Sequence, residues 1–99
     1  MAHIDPKSVD SPRNHWKLID VLYDGGDDDA SIAIGEWDGE RRLAMRWNGS
    51  EKYAGIGNPQ SRGLPTWFML PDWSASTMLE CPNIPQAKLA LAKALLAKT

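Results

Sequence analysis

Apolar and polar residues sort by face over residues 30–47, Ala-Ser-Ile-Ala-Ile-Gly-Glu-Trp-Asp-Gly-Glu-Arg-Arg-Leu-Ala-Met-Arg-Trp, once a single turn is chosen. With Asp38-Gly39 as a two-residue turn, Trp37 opposes Glu40, Ile34 opposes Leu43, Ile32 opposes Met45 and Ala30 opposes Trp47, so the apolar members share one side. Ser31, Ala33, Gly35, Arg42, Ala44 and Arg46 take the other. A slip of one residue would set Arg42 and Arg46 across from the apolar positions of the first strand, which is the penalty that fixes register in a half-buried sheet. The pattern predicts a hairpin with one buried face, Trp47 included, and one basic face.

Flanking segments extend this picture. Residues 16–23 read as a strand with Ile19, Val21 and Tyr23 on one side and Trp16, Leu18, Asp20 and Leu22 on the other. The following Asp24-Gly25-Gly26-Asp27-Asp28-Asp29 has turn composition, with aspartates suited to accepting from nearby backbone amides. From Asn48-Gly49 to Leu64-Pro65 the chain is too rich in breakers for regular structure, and Thr66-Trp67-Phe68-Met69-Leu70 then reads as a fourth strand stopped by Pro71. Ser74 to Leu79 suits one or two helical turns, with Asp72 as the nearest capping residue. Gln86 through Lys98, after Asn83 and Pro85, is rich in Ala, Leu and Lys and predicts a helix. Its stripe of Ile84, Ala87, Leu91, Ala94 and Leu95, flanked by Leu89 and Leu96, is expected to lie on the sheet's apolar face.

The expected fold is therefore α+β: an antiparallel sheet of about four strands with a C-terminal helix packed on one face. Residues 1–15, polar and holding Pro6 and Pro12, are expected to form a flexible N-terminal arm, and 16–99 a single domain. A length of 99 residues, 42% hydrophobic and 24% charged, fits one core of that size. The formal net charge of −2 weighs against a protein devoted to polyanions, although a local cationic patch survives within that total. A lone Cys81 cannot form an internal disulfide, and no secretory leader or apolar run of bilayer length is visible, so a cytoplasmic location without membrane contact is expected. Without a secretory signal, Asn48-Gly49-Ser50 reads as a turn rather than a glycosylation site.

Catalysis needs a poised acid, base, nucleophile or metal, and the usual suppliers are scarce here. His3 and His15 fall in the arm, and Cys81 reads as a small buried hydrophobe. The Asp27-Asp28-Asp29 cluster lacks the alternating ligands of a calcium loop and reads as a solvated turn, and Gly55-Ile56-Gly57 lacks the Lys-Ser/Thr of a phosphate loop. No catalytic residue, metal or cofactor is assigned. More informative is the run from Asn58 to Phe68, where Pro59 and Pro65 stiffen a connection that presents Asn58, Gln60, Ser61 and Arg62. Arg42 and Arg46 point the same way from one strand and, if near Arg62 or Lys52, would hold phosphate or an acidic partner bidentately, whereas Arg41 pairs with Glu36 across the other side of the hairpin. Of five tryptophans, Trp37, Trp67 and Trp73 are the candidates for partly exposed anchors.

These features point to a small non-enzymatic binding module. In this reading the open sheet face bearing Arg42 and Arg46 joins Asn58, Gln60, Ser61, Arg62 and Trp67 to contact another protein. Single-stranded nucleic acid on that face is the alternative, with aromatics stacking bases and arginines on phosphates. A small enzyme using the loop as an anion site comes third, and pairing of edge strands into a homodimer is a further option.

Overall fold

The computed structural model describes residues 5–11, 13–50, 55–61 and 64–97. After a short 3-10 turn at Pro6–Ser8 come β1 (Trp16–Asp24), β2 (Ala30–Trp37), β3 (Glu40–Trp47), β4 (Gln60–Ser61), β5 (Leu64–Pro65) and β6 (Phe68–Met69). A second 3-10 turn at Asp72–Ser74 leads into α1 (Ala75–Met78), and α2 spans Gln86–Ala97. The fold is α+β, with a four-stranded antiparallel sheet in the order β1-β2-β3-β6 and a separate pairing of β4 with β5.

The central hairpin has the expected register throughout, from Trp37 opposite Glu40 to Ala30 opposite Trp47. Asp38 and Gly39 both take positive φ, 51° and 88°, the turn whose twist matches that of paired strands. The period of two breaks down in β1. Register shifts between Leu18 and Asp20, and again between Val21 and Tyr23, insert Ile19 and Leu22 as extra residues. Val21 consequently lies opposite Ala33 while Tyr23 lies opposite Ile32, and Ile19 is exposed rather than aligned with either.

Each face of the sheet is covered, by different parts of the chain. On one, Leu22, Ile32, Ile34 and Leu43 pack with Leu79, Ile84 and Ala92. Lys88 reaches Asp20 at 2.7 Å, and Arg41 donates to the Leu95 carbonyl at 3.1 Å, so α2 runs obliquely from β1 toward the start of β3. These two ties set its rotation: Leu89, Ala92, Leu95 and Leu96 face the core, whereas Ala87, Leu91 and Ala94, expected inside, are exposed. An Ala-Leu-Lys helix has apolar residues on several sides, and its partners choose among them.

Val9, Trp16, Ala33, Ala44 and Trp67 form a second cluster on the opposite face. Described residues of the N-terminal segment pack here against the sheet. Pro6 and Val9 are buried, Asp5 caps the first turn through Lys7 N–H, and Ser11 bridges to Thr66. His15 Nδ1 lies 2.8 Å from Asp38 Oδ1, its ring stacked on Trp37 at 5.2 Å, which pins the entry to β1 against the hairpin turn. The expected fourth strand shrinks to Phe68–Met69, paired with Met45 and Ala44, because Thr66 bridges Ser11 instead and Trp67 turns inward. The β4–β5 pairing falls within the stretch expected to be irregular. Among the described residues, no helix is long and apolar enough to cross a membrane.

Gly35 makes this second layer possible. A Cβ there would stand 2.7 Å from Trp16 Cζ2 and would also strike the Lys17 carbonyl, so the indole lies against bare backbone. Gly35→Ala should destabilise the fold by about 1–3 kcal/mol, since backbone and a buried ring must both move. Urea denaturation measures this; an unchanged midpoint would show that Trp16 can vacate its place freely.

Candidate functional site

Arg46 leaves β3 opposite Ser31 and is 1% exposed. Its Nη1 donates to the Thr66 carbonyl at 2.6 Å and its Nη2 to the Ile56 carbonyl. Burial lowers its pKa from the ordinary value, because desolvation penalises the charged form. Nε is buried without a hydrogen-bond partner among the described residues. The side chain thus works as a strut, binding Ile56 and Thr66 to the sheet by charge-assisted bonds to their backbone oxygens. This corrects the expected bare basic face: Arg46 lies beneath these two residues, and Trp67 and Val9 occupy the space beside it.

The other expected contact residues are dispersed. Arg42 is half-buried and donates to Asp72 Oδ1 at 2.9 Å and Glu40 Oε1 at 3.1 Å. Trp67, 4% exposed, donates from Nε1 to the Val9 carbonyl at 2.6 Å and lies tilted against Trp16, so it is core rather than anchor. Gln60 is exposed, with Nε2 donating to the Gly57 carbonyl at 2.6 Å, and Ser61 is exposed in β4. Arg62 and Lys52 lie outside the described residues. Asn58 is exposed and exchanges backbone hydrogen bonds with Trp47, which lays the cis Asn58–Pro59 segment beside the end of β3. Close backbone approach requires glycine here: Gly57, at φ 82°, has no room for a Cβ against the Trp47 carbonyl.

Beyond that end of β3 lies a surface the sequence pattern assigned to the core. Trp47 is on the same face as Leu43, as expected, yet it is 56% exposed. Length explains the difference. A 12-residue helix is about 18 Å long, whereas an eight-residue strand spans about 27 Å, and α2 is committed to the turn-proximal end of the hairpin. Phe68, opposite Met45, is likewise 56% exposed. With Pro59 and Asn58, these residues line an open concavity of about 280 Å³. Trp73, 83% exposed, projects separately from the turn preceding α1.

An adjoining concavity of about 290 Å³ shares Trp47 and Asn58 and is otherwise lined by Asp28, Asp29, Gly49, Ser50, Gly55, Gly57 and Gln60 among the described residues. The acidic turn beside it is internally braced as its composition suggested. Asp24 Oδ1 accepts from Gly26 N–H at 2.9 Å and from Asn48 Nδ2 at 3.2 Å, and Asp29 Oδ1 accepts from Ala30 N–H at 2.7 Å. Asn48 is fully buried, accepting from Ser31 Oγ and donating to the Gly26 carbonyl as well. Tyr23 donates to Asp29 Oδ2 at 3.3 Å; desolvation first, then the Asp29 charge, raises the phenol above its ordinary pKa.

Comparison with protein-family models, curated proteins and solved structures gives no match for this chain. Its geometry alone has to indicate a role.

Arg46→Ala should cost about 2–5 kcal/mol, because two carbonyls lose their donor and the core loses the aliphatic stem. Arg46→Lys should recover only part of this, since one ammonium lacks the planar fork that serves both oxygens. Chemical denaturation reads both variants; a loss under 1 kcal/mol for the alanine variant would show that the carbonyls turn to solvent without penalty.

Proposed function

We propose that this chain is a protein-binding module whose contact surface is the Trp47–Phe68 groove, receiving an apolar side chain from an extended segment of another protein. The observation that carries this reading is the convergence of two half-exposed aromatic rings with Met45 and Pro59 in one concavity. Scattered exposed apolar residues are ordinary, but a contiguous cluster around a hollow is a feature of interaction sites. Covering the exposed part of one aromatic ring would remove on the order of 100 Å² from water, worth roughly 2–3 kcal/mol before the costs of association. Rigid support favours the same reading, because Asn58 is bonded to the Trp47 backbone and the Arg46 strut holds Ile56 and Thr66. A preorganised groove loses little entropy on binding.

The open-face version of the interaction, centred on Arg42 and Arg46, gives way to this one, since both guanidiniums are engaged within the chain. The same engagements withdraw the phosphate ligands that single-stranded nucleic acid would need. Trp47 stands instead beside Asp28 and Asp29, whose charges repel a phosphate backbone.

Selection of displayed random dodecapeptides on the immobilised protein tests the groove. Enriched sequences should share a large apolar residue and bind the Trp47→Ala and Phe68→Ala variants at least tenfold more weakly, both variants keeping the wild-type denaturation midpoint within about 1 kcal/mol. Peptides that bind those variants as well as wild type, or no enrichment at all, would reject it.

A further inference from the structure

Resting on the groove reading, and specifying its partner, we infer that the bound segment carries a lysine or arginine one or two residues from its apolar anchor. Trp47 is the shared wall of two concavities of opposite character, one apolar with Met45 and Phe68, the other acidic with Asp28 and Asp29. Successive residues of an extended chain advance by about 3.3 Å, so a side chain near the anchor reaches from the first hollow to the second. A cation placed there meets two attractions at once: the carboxylates, and the π face of an indole that is more than half exposed.

The acidic wall is presented rather than loosely solvated. Asp29 is held by Ala30 N–H and by the Tyr23 hydroxyl, and Asp28 sits at φ 58° with its N–H bonded to the Gly49 carbonyl at 2.8 Å. Arg46 is the sole cationic residue lining either concavity among the described residues; it lines the apolar one, where its Nη1 and Nη2 are turned to the Thr66 and Ile56 carbonyls. The acidic concavity itself is lined by Asp28 and Asp29 and by no cation among the described residues, and a basic partner complements it.

Acetylated nonapeptide amides of alanine and glycine, with phenylalanine at the centre and Lys, Arg, Gln or Glu two residues away on either side, provide the probes. Titration into isotopically labelled protein, followed at the Trp47 indole N–H, reports groove occupancy directly. At low salt the Lys and Arg peptides should bind at least threefold tighter than the Gln peptide and the Glu peptide more weakly, the differences shrinking at 0.5 M salt. Asp28→Asn, which suits the left-handed backbone there, should bring the Lys-to-Gln ratio below twofold. Equal affinities with a responsive Trp47 would overturn the basic-partner inference and leave the groove standing, as would a Lys preference that survives in Asp28→Asn. If no peptide moves the Trp47 resonance, the groove reading falls and this inference with it.

Discussion

The tight reversal at Asp38-Gly39 is the constraint from which the rest of the molecule follows. Both residues occupy the left-handed region, so β2 and β3 leave the turn already twisted to pair, and eight residue pairs form without a slip. This alternation sends Ile32, Ile34 and Leu43 toward α2 and sends Ala33, Gly35, Ala44 and Arg46 the other way. The small residues on that second face are what allow a second layer. Trp16 lies over Gly35, and Trp67 and Val9 close over Ala33 and Ala44.

Arg46 shows how a polar residue in a strand can organise a connection without regular structure of its own. A buried guanidinium is costly unless its donors are used, and here two backbone carbonyls from separate parts of the 56–66 stretch use them. Ile56 and Thr66 are thereby held at one guanidinium. Asn48 does comparable work on the neighbouring loop, joining Asp24, Gly26 and Ser31 around one buried amide. Between these two anchors the backbone of Trp47 and Asn58 is held in place, and the Trp47 side chain is left to face water.

The exposed groove results from a mismatch of lengths rather than from a polar sequence. The helix is too short, and too firmly tied to Asp20 and the Leu95–Arg41 contact, to reach the far end of β3. Met45, Trp47 and Phe68 continue the apolar face past the end of its cover, with Asp28 and Asp29 at the border. An apolar hollow that shares Trp47 with a hollow lined by Asp28 and Asp29 forms a surface with both a shape and a sign, which is the physical content of the proposed module and its basic partner.

The hairpin, its register and the identity of the residues on each of its faces were legible in the chain, because a two-residue turn and strict alternation leave one consistent solution. So were the C-terminal helix, the α+β class and the role of the aspartates as turn acceptors. Tertiary structure alone decided which faces were covered and by what. Alternation says that Arg46 and Leu43 point oppositely, but it carries no information on whether Val9, Ile56, Thr66 and Trp67 return to the side bearing Arg46. Nor does it reveal where a helix stops, and so whether Trp47 is core or surface. Bulges in β1 and the rotation of α2 were hidden for a related reason: each is chosen by partners distant in sequence, Ile34 for Asp20 and Asp20 for Lys88, whose meeting no local pattern encodes.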